Sequence, residues 1–295
     1  MFSHTKQFQY NAQPDAPDPI FAKQMQELLA GQWGEMSVMN GYLFQGWNCR
    51  GPAKYRDMIM DIATEEIGHV EMIATMIARL LEKSPAEAEE AVAGDGSGVL
   101  GSIMGGNGDQ EEKILNAMNP QHYIVAGLGA TPRDSMGNPW SAAYIISSGN
   151  LLADFRYNVT AESQGRLQAA RLYNLTKDAG VRDMLAFLIA RDHMHQNQWL
   201  AAIEELKADG IDETPVPVTF PLANEHQQFA YKFMNFSDGE ESAQGRWANG
   251  PAPDGGGQFE YVQSPQAMGP VMTELPAVDP RVYGTPKQPT QPASS

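Results

Sequence analysis

Glu66 and His69 stand three residues apart inside a run with helical periodicity, Tyr55 to Leu81. At 100° per residue they lie about 60° apart around a helix and one turn from each other, so both can reach one point. A carboxylate and an imidazole converging from one helix face make half of a metal site. Three other helical stretches carry candidates for the second half: Glu35, then Glu162, then Asp192 with His195 three residues later. Glu35 falls among Trp33, Met36 and Val38, where a carboxylate is costly unless neutralised or bound to a cation. Tyr42, seven residues on and nearly in the same direction, is in a position to hydrogen-bond to it.

One carboxylate on each of two helices, and a carboxylate-x-x-His on each of two more, is the donor pattern of ferritin-like dimetal bundles. Carboxylate oxygen and imidazole nitrogen suit manganese or iron. Some positions keep alternatives. Glu65, four residues before His69, can also reach it, and only the bundle pattern favours Glu66. Glu162 precedes Arg166 by four residues and could form a surface ion pair with it. His193 points about 200° away from His195, so the two cannot serve one metal. On residue pattern alone, Asp192 reads as a ligand paired with His195.

The elements that must position these groups are four long helices. The first spans Ile20 to about Asn48, with Phe21, Met25, Leu28, Leu29, Trp33, Met36 and Met39 at helical spacing. Gly51-Pro52 breaks the chain, and the second helix runs from about Ala53 to Lys83. Residues 84 to 138 form a long connection, with an acidic helical piece at 85–92, a glycine-rich stretch at 94–108 and a short helix near 110–118. A connection of this length in a four-helix bundle implies a crossover. The third helix runs from about Trp140 to Leu175, bent near Ser147-Ser148-Gly149, and the fourth from about Asp178 to Ala208. The expected class is all-α: a four-helix-bundle domain over 1–209, then a Gly/Pro-rich tail over 210–295 in which only Asn224 to Met234 looks helical. The tail is too aromatic for plain disorder, which points to wrapping over its own bundle or a neighbour's.

The chain of 295 residues carries 36 acidic and 20 basic groups, a net charge of −16. Such a surface repels nucleic acid and anionic membranes and suits a cation binder. The single cysteine, Cys49, excludes an intrachain disulfide. Neither a secretory h-region nor a membrane-spanning apolar run is present, so the expectation is a cytoplasmic protein. Sixteen methionines at helical spacing read as core filler.

Three stretches, Ile62 to Glu71, Met1 to Tyr10 and Thr160 to Arg166, resemble the manganese catalases, the non-haem dimanganese catalases of bacteria. The likeness extends through Pro132 to Trp140 and into the tail. It implies a homohexameric enzyme, with tails embracing neighbours, that disproportionates hydrogen peroxide to water and dioxygen. Two manganese ions per subunit would cycle between Mn(II)Mn(II) and Mn(III)Mn(III). It implies Glu35, Glu66, His69, Glu162 and His195 as ligands, with Glu66 bridging, Glu35 and His69 on one ion, and Glu162 and His195 on the other. Tyr42 matches a tyrosine that hydrogen-bonds the first glutamate, and Asp192 becomes an outer-sphere acid-base group instead of a ligand. Some members have arginine where this chain has Ala161, and glutamate where it has Asp192.

The same resemblance implies calcium. Asp57 and Asp61 share a helix face, Asp57 points about 180° from Glu66, and Asn235, Ser237 and Gly239 offer small oxygen donors in the tail. The rival functions are a di-iron oxidase or peroxidase with the same ligands, a metal-sequestering bundle, and a structural protein on the same scaffold with a silent site.

Overall fold

The computed structural model describes residues 4–82, 125–211, 220–271, 279 and 281. The chain divides into two compact units, 1–217 and 218–295. The first holds α1 (Pro19–Ala30), α2 (Glu35–Asn48), α3 (Ala53–Leu80), α4 (Leu151–Leu175) and α5 (Ala179–Asp209). The helical pieces expected at 85–92 and 110–118 lie outside the described residues.

The expected first helix is in fact two. Asp18 caps α1, its carboxylate accepting from the Phe21 N–H at 2.9 Å, and Pro19 takes the first position, where its missing N–H costs nothing. The chain then turns at Gly31 and Gly34. A Cβ on Gly31 would lie 2.5 Å from the Glu27 carbonyl oxygen, and one on Gly34 2.7 Å from that of Leu28. Trp33, Met36 and Met39 carry the apolar spacing past the break although they are only half-buried and the buried face of α2 is set by Glu35, Val38 and Tyr42, which is why the pattern alone reads as one helix.

The third helix also starts later than expected. Residues Trp140 to Asn150 are extended or turn-like apart from a short 3₁₀ turn at Ala142–Tyr144. Asn150 caps α4 by accepting from the Ala153 N–H at 2.9 Å. Ser148 is held by Asp154, which accepts from its N–H at 2.9 Å and its hydroxyl at 2.7 Å. These capping bonds compete successfully with helix propagation. Asp178 caps α5 in the same way, accepting from the Val181 N–H at 2.8 Å.

Two apolar clusters hold the helices together. One gathers Phe21, Met25 and Leu28 of α1, Met72 to Leu80 of α3, Leu172 of α4 and Met184 to Leu188 of α5. The other gathers Tyr42 of α2, Tyr55 to Ala63 of α3, Leu152 and Phe155 of α4 and Trp199 to Leu206 of α5. Truncating one of their large side chains to alanine costs about 2–5 kcal/mol. The order in which each helix meets the clusters gives its direction. From N- to C-terminus α3 and α4 both pass from the second cluster to the first, whereas α5 passes from the first to the second. Thus α3 and α4 are parallel, and α4 starts at the end of the bundle opposite to the one where α3 stops.

The register of α2 against α4 is pinned by a buried amide pair. Gln45 donates to Asn158 at 2.9 Å and Asn158 donates back at 2.7 Å. A mismatch there would leave buried polar groups unpaired, at about 1–3 kcal/mol each. Asn158 lies one turn before Glu162, so this register also sets the height of that carboxylate.

In the second unit the helix expected over Asn224 to Met234 is limited to α6 (Gln227–Ala230) and a 3₁₀ turn at Leu222–Asn224. The rest of that stretch joins a small sheet of β1 (Lys232–Met234), β2 (Gly250–Pro251) and β3 (Gln258–Val262), in the order β1-β3-β2. β1 runs parallel to β3 with Lys232 opposite Glu260, and β2 antiparallel with Gly250 opposite Phe259. Phe233 packs edge-on to Tyr261 at 5.6 Å, a cross-strand contact that wins over local helical preference.

Candidate metal centre

Between the two apolar clusters lies a buried polar layer to which α2, α3, α4 and α5 contribute. Glu35 is the first residue of α2, Glu66 and His69 come from α3, Glu162 from α4, and Asp192 and His195 from α5. All six are buried, Glu66, His69 and His195 completely. The turn at Gly31–Gly34 sets Glu35 at the start of α2, where the helix dipole favours an anion.

Glu66 is the centre of the layer. Its Oε2 lies 2.7 Å from Nδ1 of His69 and its Oε1 2.8 Å from Nδ1 of His195. Glu35 and Glu162 flank this core, each with an oxygen 3.9 Å from Nδ1 of the nearer histidine, His69 and His195 respectively. Two groups of donors converge within 4.8 Å: Glu35, His69 and Asp192 in one, Glu66, Glu162 and His195 in the other. Asp192 thus joins Glu35 and His69, across the layer from the histidine with which its sequence spacing pairs it.

Tyr42 differs from expectation. Its hydroxyl donates to Oε1 of Glu162 at 2.6 Å, not to Glu35. Seven residues of helix carry it about 10 Å along the axis from Glu35, which brings it level with the carboxylate on α4. Trp199 adds a longer N–H contact to the same oxygen, at 3.4 Å. Glu162 is therefore buried and doubly hydrogen-bonded, while Arg166 donates to Gln196 at 3.0 Å; the surface ion pair between them is not formed.

Glu65 lies on the other side of the histidines. Its carboxylate accepts from Nε2 of His195 at 3.0 Å and faces Nε2 of His69 at 3.7 Å. Arg191 grips it with two N–H groups at 2.6 and 3.1 Å, and Gln9 donates to it at 2.7 Å. Residue spacing shows that Glu65 can reach His69; its bonds to Arg191 and Gln9, 126 and 56 residues away, leave no trace in local pattern.

The electrostatics follow from burial. Desolvation, then the Glu66 charge, pushes Glu35 up to about 8. Desolvation likewise drives Glu162 and Asp192 well above the usual carboxylate range, reinforced by Glu66 and by Asp192 for the first, and by Glu35 and Glu66 for the second. Burial opposes the charge on Glu66 too, but His69 and His195 outweigh it and hold its carboxyl low. Burial also disfavours charge on His195, yet Glu66 and Glu65 raise it to about 10. Four buried carboxyls against two imidazoles form a layer with an excess of acid, which a cation would offset.

Manganese fits this layer. The donors are hard oxygen and imidazole nitrogen, the set that suits manganese or iron. Oε1 of Glu66, Nδ1 of His195 and Oδ2 of Asp192 are buried and make no hydrogen bond, although the first two are only 2.8 Å apart. Such orphaned atoms are rare in native interiors unless an ion or water completes them.

Asp57 and Asp61 are exposed on α3. In the second unit, Asn235 donates to the Gly239 carbonyl at 2.9 Å and accepts from the Ser237 N–H at 3.0 Å, so the three tail residues share one loop.

A family model described as manganese containing catalase matches residues 1–288. A manganese catalase from Bacillus subtilis is 58% identical over 286 residues, covering 97% of this chain and 98% of the relative. One from Lactiplantibacillus plantarum is 44% identical over 284 residues, covering 96% and 98%. The solved structure of KatB, a manganese catalase from Anabaena, aligns with a TM-score of 0.65 at 26% identity, covering 90% of this chain and 100% of that one. Four helices that converge on one buried carboxylate-histidine layer, with likeness along almost the whole chain, establish that this protein belongs to the manganese catalases and has their ferritin-like fold.

Proposed function

We propose that Glu35 with His69 holds one manganese ion, Glu162 with His195 holds a second, and Glu66 bridges the two. The observation that carries this assignment is that the two oxygens of Glu66 face Nδ1 of different histidines, at 2.7 and 2.8 Å. The protein is a manganese catalase, converting two hydrogen peroxide molecules to two water molecules and one dioxygen. When bound, the manganese pair supplies the two-electron redox chemistry of that reaction. The chain supplies the donors, excludes bulk water with the apolar clusters above and below, and handles protons. Tyr42 fixes Oε1 of Glu162 through its hydroxyl and so orients the other oxygen toward His195.

Asp192 is the proposed acid-base group. Its Oδ2 is buried and makes no hydrogen bond, and a Cβ on Gly165 would lie 3.3 Å from it, so the glycine leaves room at that oxygen. Aspartate is one methylene shorter than glutamate, which favours holding a proton beside the metals over ligating one. Peroxide turnover requires proton uptake and release, and a carboxyl whose pKa is raised by burial suits that task.

A calcium ion shared by Asp57, Asp61, Asn235, Ser237 and Gly239, a homohexamer with tails reaching neighbours, and a cytoplasmic location complete the proposal. The calcium assignment draws on oxygen-rich side chains and carbonyls. The tail assignment draws on Phe236 and Trp247, which are 84% and 59% exposed in the single chain. Among the described residues no helix is long and apolar enough to cross a membrane.

The deciding experiment is oxygen evolution from peroxide by purified protein, with elemental analysis of the same sample. Turnover insensitive to cyanide, with two manganese ions per chain, is expected. Stoichiometric iron in the active form, with no activity when manganese replaces it, would refute the manganese assignment and favour the di-iron alternative.

A further inference from the structure

We infer that Glu65, clamped by Arg191 and by Gln9 of the N-terminal segment, is a positioning residue that holds His195, and more weakly His69, with Nδ1 facing the metal centre. This rests on the dimanganese reading above and adds a support to it that comes partly from outside the bundle.

The geometry is specific. An imidazole can offer one bare nitrogen to a metal only if the proton sits on the other. The Nε2–H of His195 donates to Glu65 at 3.0 Å, which keeps the proton on Nε2 and leaves Nδ1 bare toward Glu66 and Glu162. Nε2 of His69 is 3.7 Å from the same carboxylate, within electrostatic reach but beyond a hydrogen bond. One carboxylate therefore backs both rings, unequally. It is immobilised in turn by the two-pronged Arg191 contact, a geometry that restricts rotation as well as adding charge.

Gln9 makes the N-terminal segment part of this arrangement. Its amide donates to Oε1 of Glu65 at 2.7 Å. The next residue, Tyr10, stacks on Phe187 at 4.4 Å, and Phe187 meets the His69 ring edge-on at 6.4 Å. Adjacent residues of the segment thus support the histidines by two routes, polar through Glu65 and apolar through Phe187. A cavity of about 810 Å³ lies beside this segment, with Glu65, Gln9, His4 and Glu71 in its wall. Glu65 is partly exposed there while both histidine side chains are fully buried, so Glu65 stands between solvent and the imidazoles.

The test compares three variants of the full-length manganese-loaded protein. Glu65→Gln keeps the shape, but its amide nitrogen is a donor only and cannot replace a carboxylate oxygen on both sides. Gln9→Ala removes one support of Glu65. His4→Ala breaks the 3.0 Å contact to Glu71, which tethers the same segment without touching Glu65. Manganese per chain is followed during dialysis against EDTA, with circular dichroism as the folding check.

Glu65→Gln is expected to lose manganese roughly 10–100-fold faster, the usual cost of removing a partner of a ligating histidine. One ion per chain should leave first, from the His195 side, because only that ring is hydrogen-bonded to Glu65. Gln9→Ala should show a smaller acceleration and His4→Ala none. Wild-type retention in Glu65→Gln, or equal losses in Glu65→Gln and His4→Ala, overturns the inference. If Glu65→Gln does not fold, Gln9→Ala decides, and a wild-type rate there overturns it. Wild-type protein that holds two manganese ions but evolves no oxygen would sink the catalase assignment and leave this comparison standing.

Discussion

Glu65 and Glu66 are consecutive on α3 and stand on opposite sides of the same two imidazoles. Glu66 meets their Nδ1 atoms at 2.7 and 2.8 Å, and Glu65 meets their Nε2 atoms at 3.7 and 3.0 Å. Adjacent residues diverge by about 100° on a helix, enough for two neighbouring carboxylates to reach different sides of one ring pair. The two therefore have different surroundings. Glu66 is sealed in the bundle, and Glu65 is tied to Arg191 near the surface.

Replacing Glu66 should damage metal binding more than replacing His195. Glu66→Ala removes the carboxylate that faces both Nδ1 atoms, and well under one manganese per chain is expected. His195→Ala should chiefly empty one side. Elemental analysis of both variants checks this, and full occupancy in Glu66→Ala would show that Glu66 does not bridge the two ions.

For Tyr42→Phe, retained manganese and a fall in kcat of about tenfold are expected, within the range typical for partners of metal ligands. The variant takes the 2.6 Å hydrogen bond from Glu162 and leaves only the 3.4 Å Trp199 contact. Oxygen evolution together with the metal count is the measurement. Unchanged kcat would mean that the hydroxyl has no part in orienting Glu162.

Asp192→Asn keeps the side-chain shape and removes the titrating proton. The proton-carrier role requires two manganese ions per chain, a much lower kcat and an altered pH profile. Loss of one ion, most directly the one beside Glu35 and His69, would show instead that Asp192 is a ligand. Unchanged turnover would show that it is neither.

Chelation of calcium should lower the melting temperature or release subunits. A cation that binds only the folded form stabilises it by about 2.7 kcal/mol at a hundredfold excess over its Kd. Thermal unfolding and size-exclusion chromatography with and without a calcium-selective chelator check this. The calcium proposal fails if a calcium-free sample keeps both its size and its melting temperature.

The end of α5 provides a pH test remote from the metals. Bonds from Lys54 and Tyr55 hold the Asp209 carboxyl below its usual range. A lowered folded-state pKa stabilises the fold above the unfolded value, about 3.9, and this stabilisation is lost as pH falls through the lowered one. The melting-temperature deficit of Asp209→Asn should therefore be present at neutral pH and shrink on acidification below about pH 4. A deficit that stays constant across that range would rule out this linkage.

The donor inventory was legible in the sequence because it is local. Glu66 with His69 and Asp192 with His195 follow from helical spacing, and the long connection between the second and third helices is visible as a change in composition. The same locality explains what was misread. Apolar spacing persists through Gly31–Gly34 in Trp33, Met36 and Met39, which are only half-buried in the fold, so spacing alone reads one helix where two exist. Asn224 to Met234 looks helical by itself, but strand pairing with Glu260 to Val262 takes Lys232–Met234 out of helix and leaves Gln227–Ala230. Tertiary structure alone decided which donors meet. Tyr42 serves Glu162 and not Glu35 because neighbouring helices, not neighbouring turns, set what lies within 3 Å of its hydroxyl. Asp192 meets Glu35 and His69, and Glu65 is completed by Gln9 and Arg191, for the same reason. Spacing along one helix gives a side chain its direction, whereas its partner depends on how far the facing helix has slid, which is settled by packing and by pins such as Gln45 with Asn158.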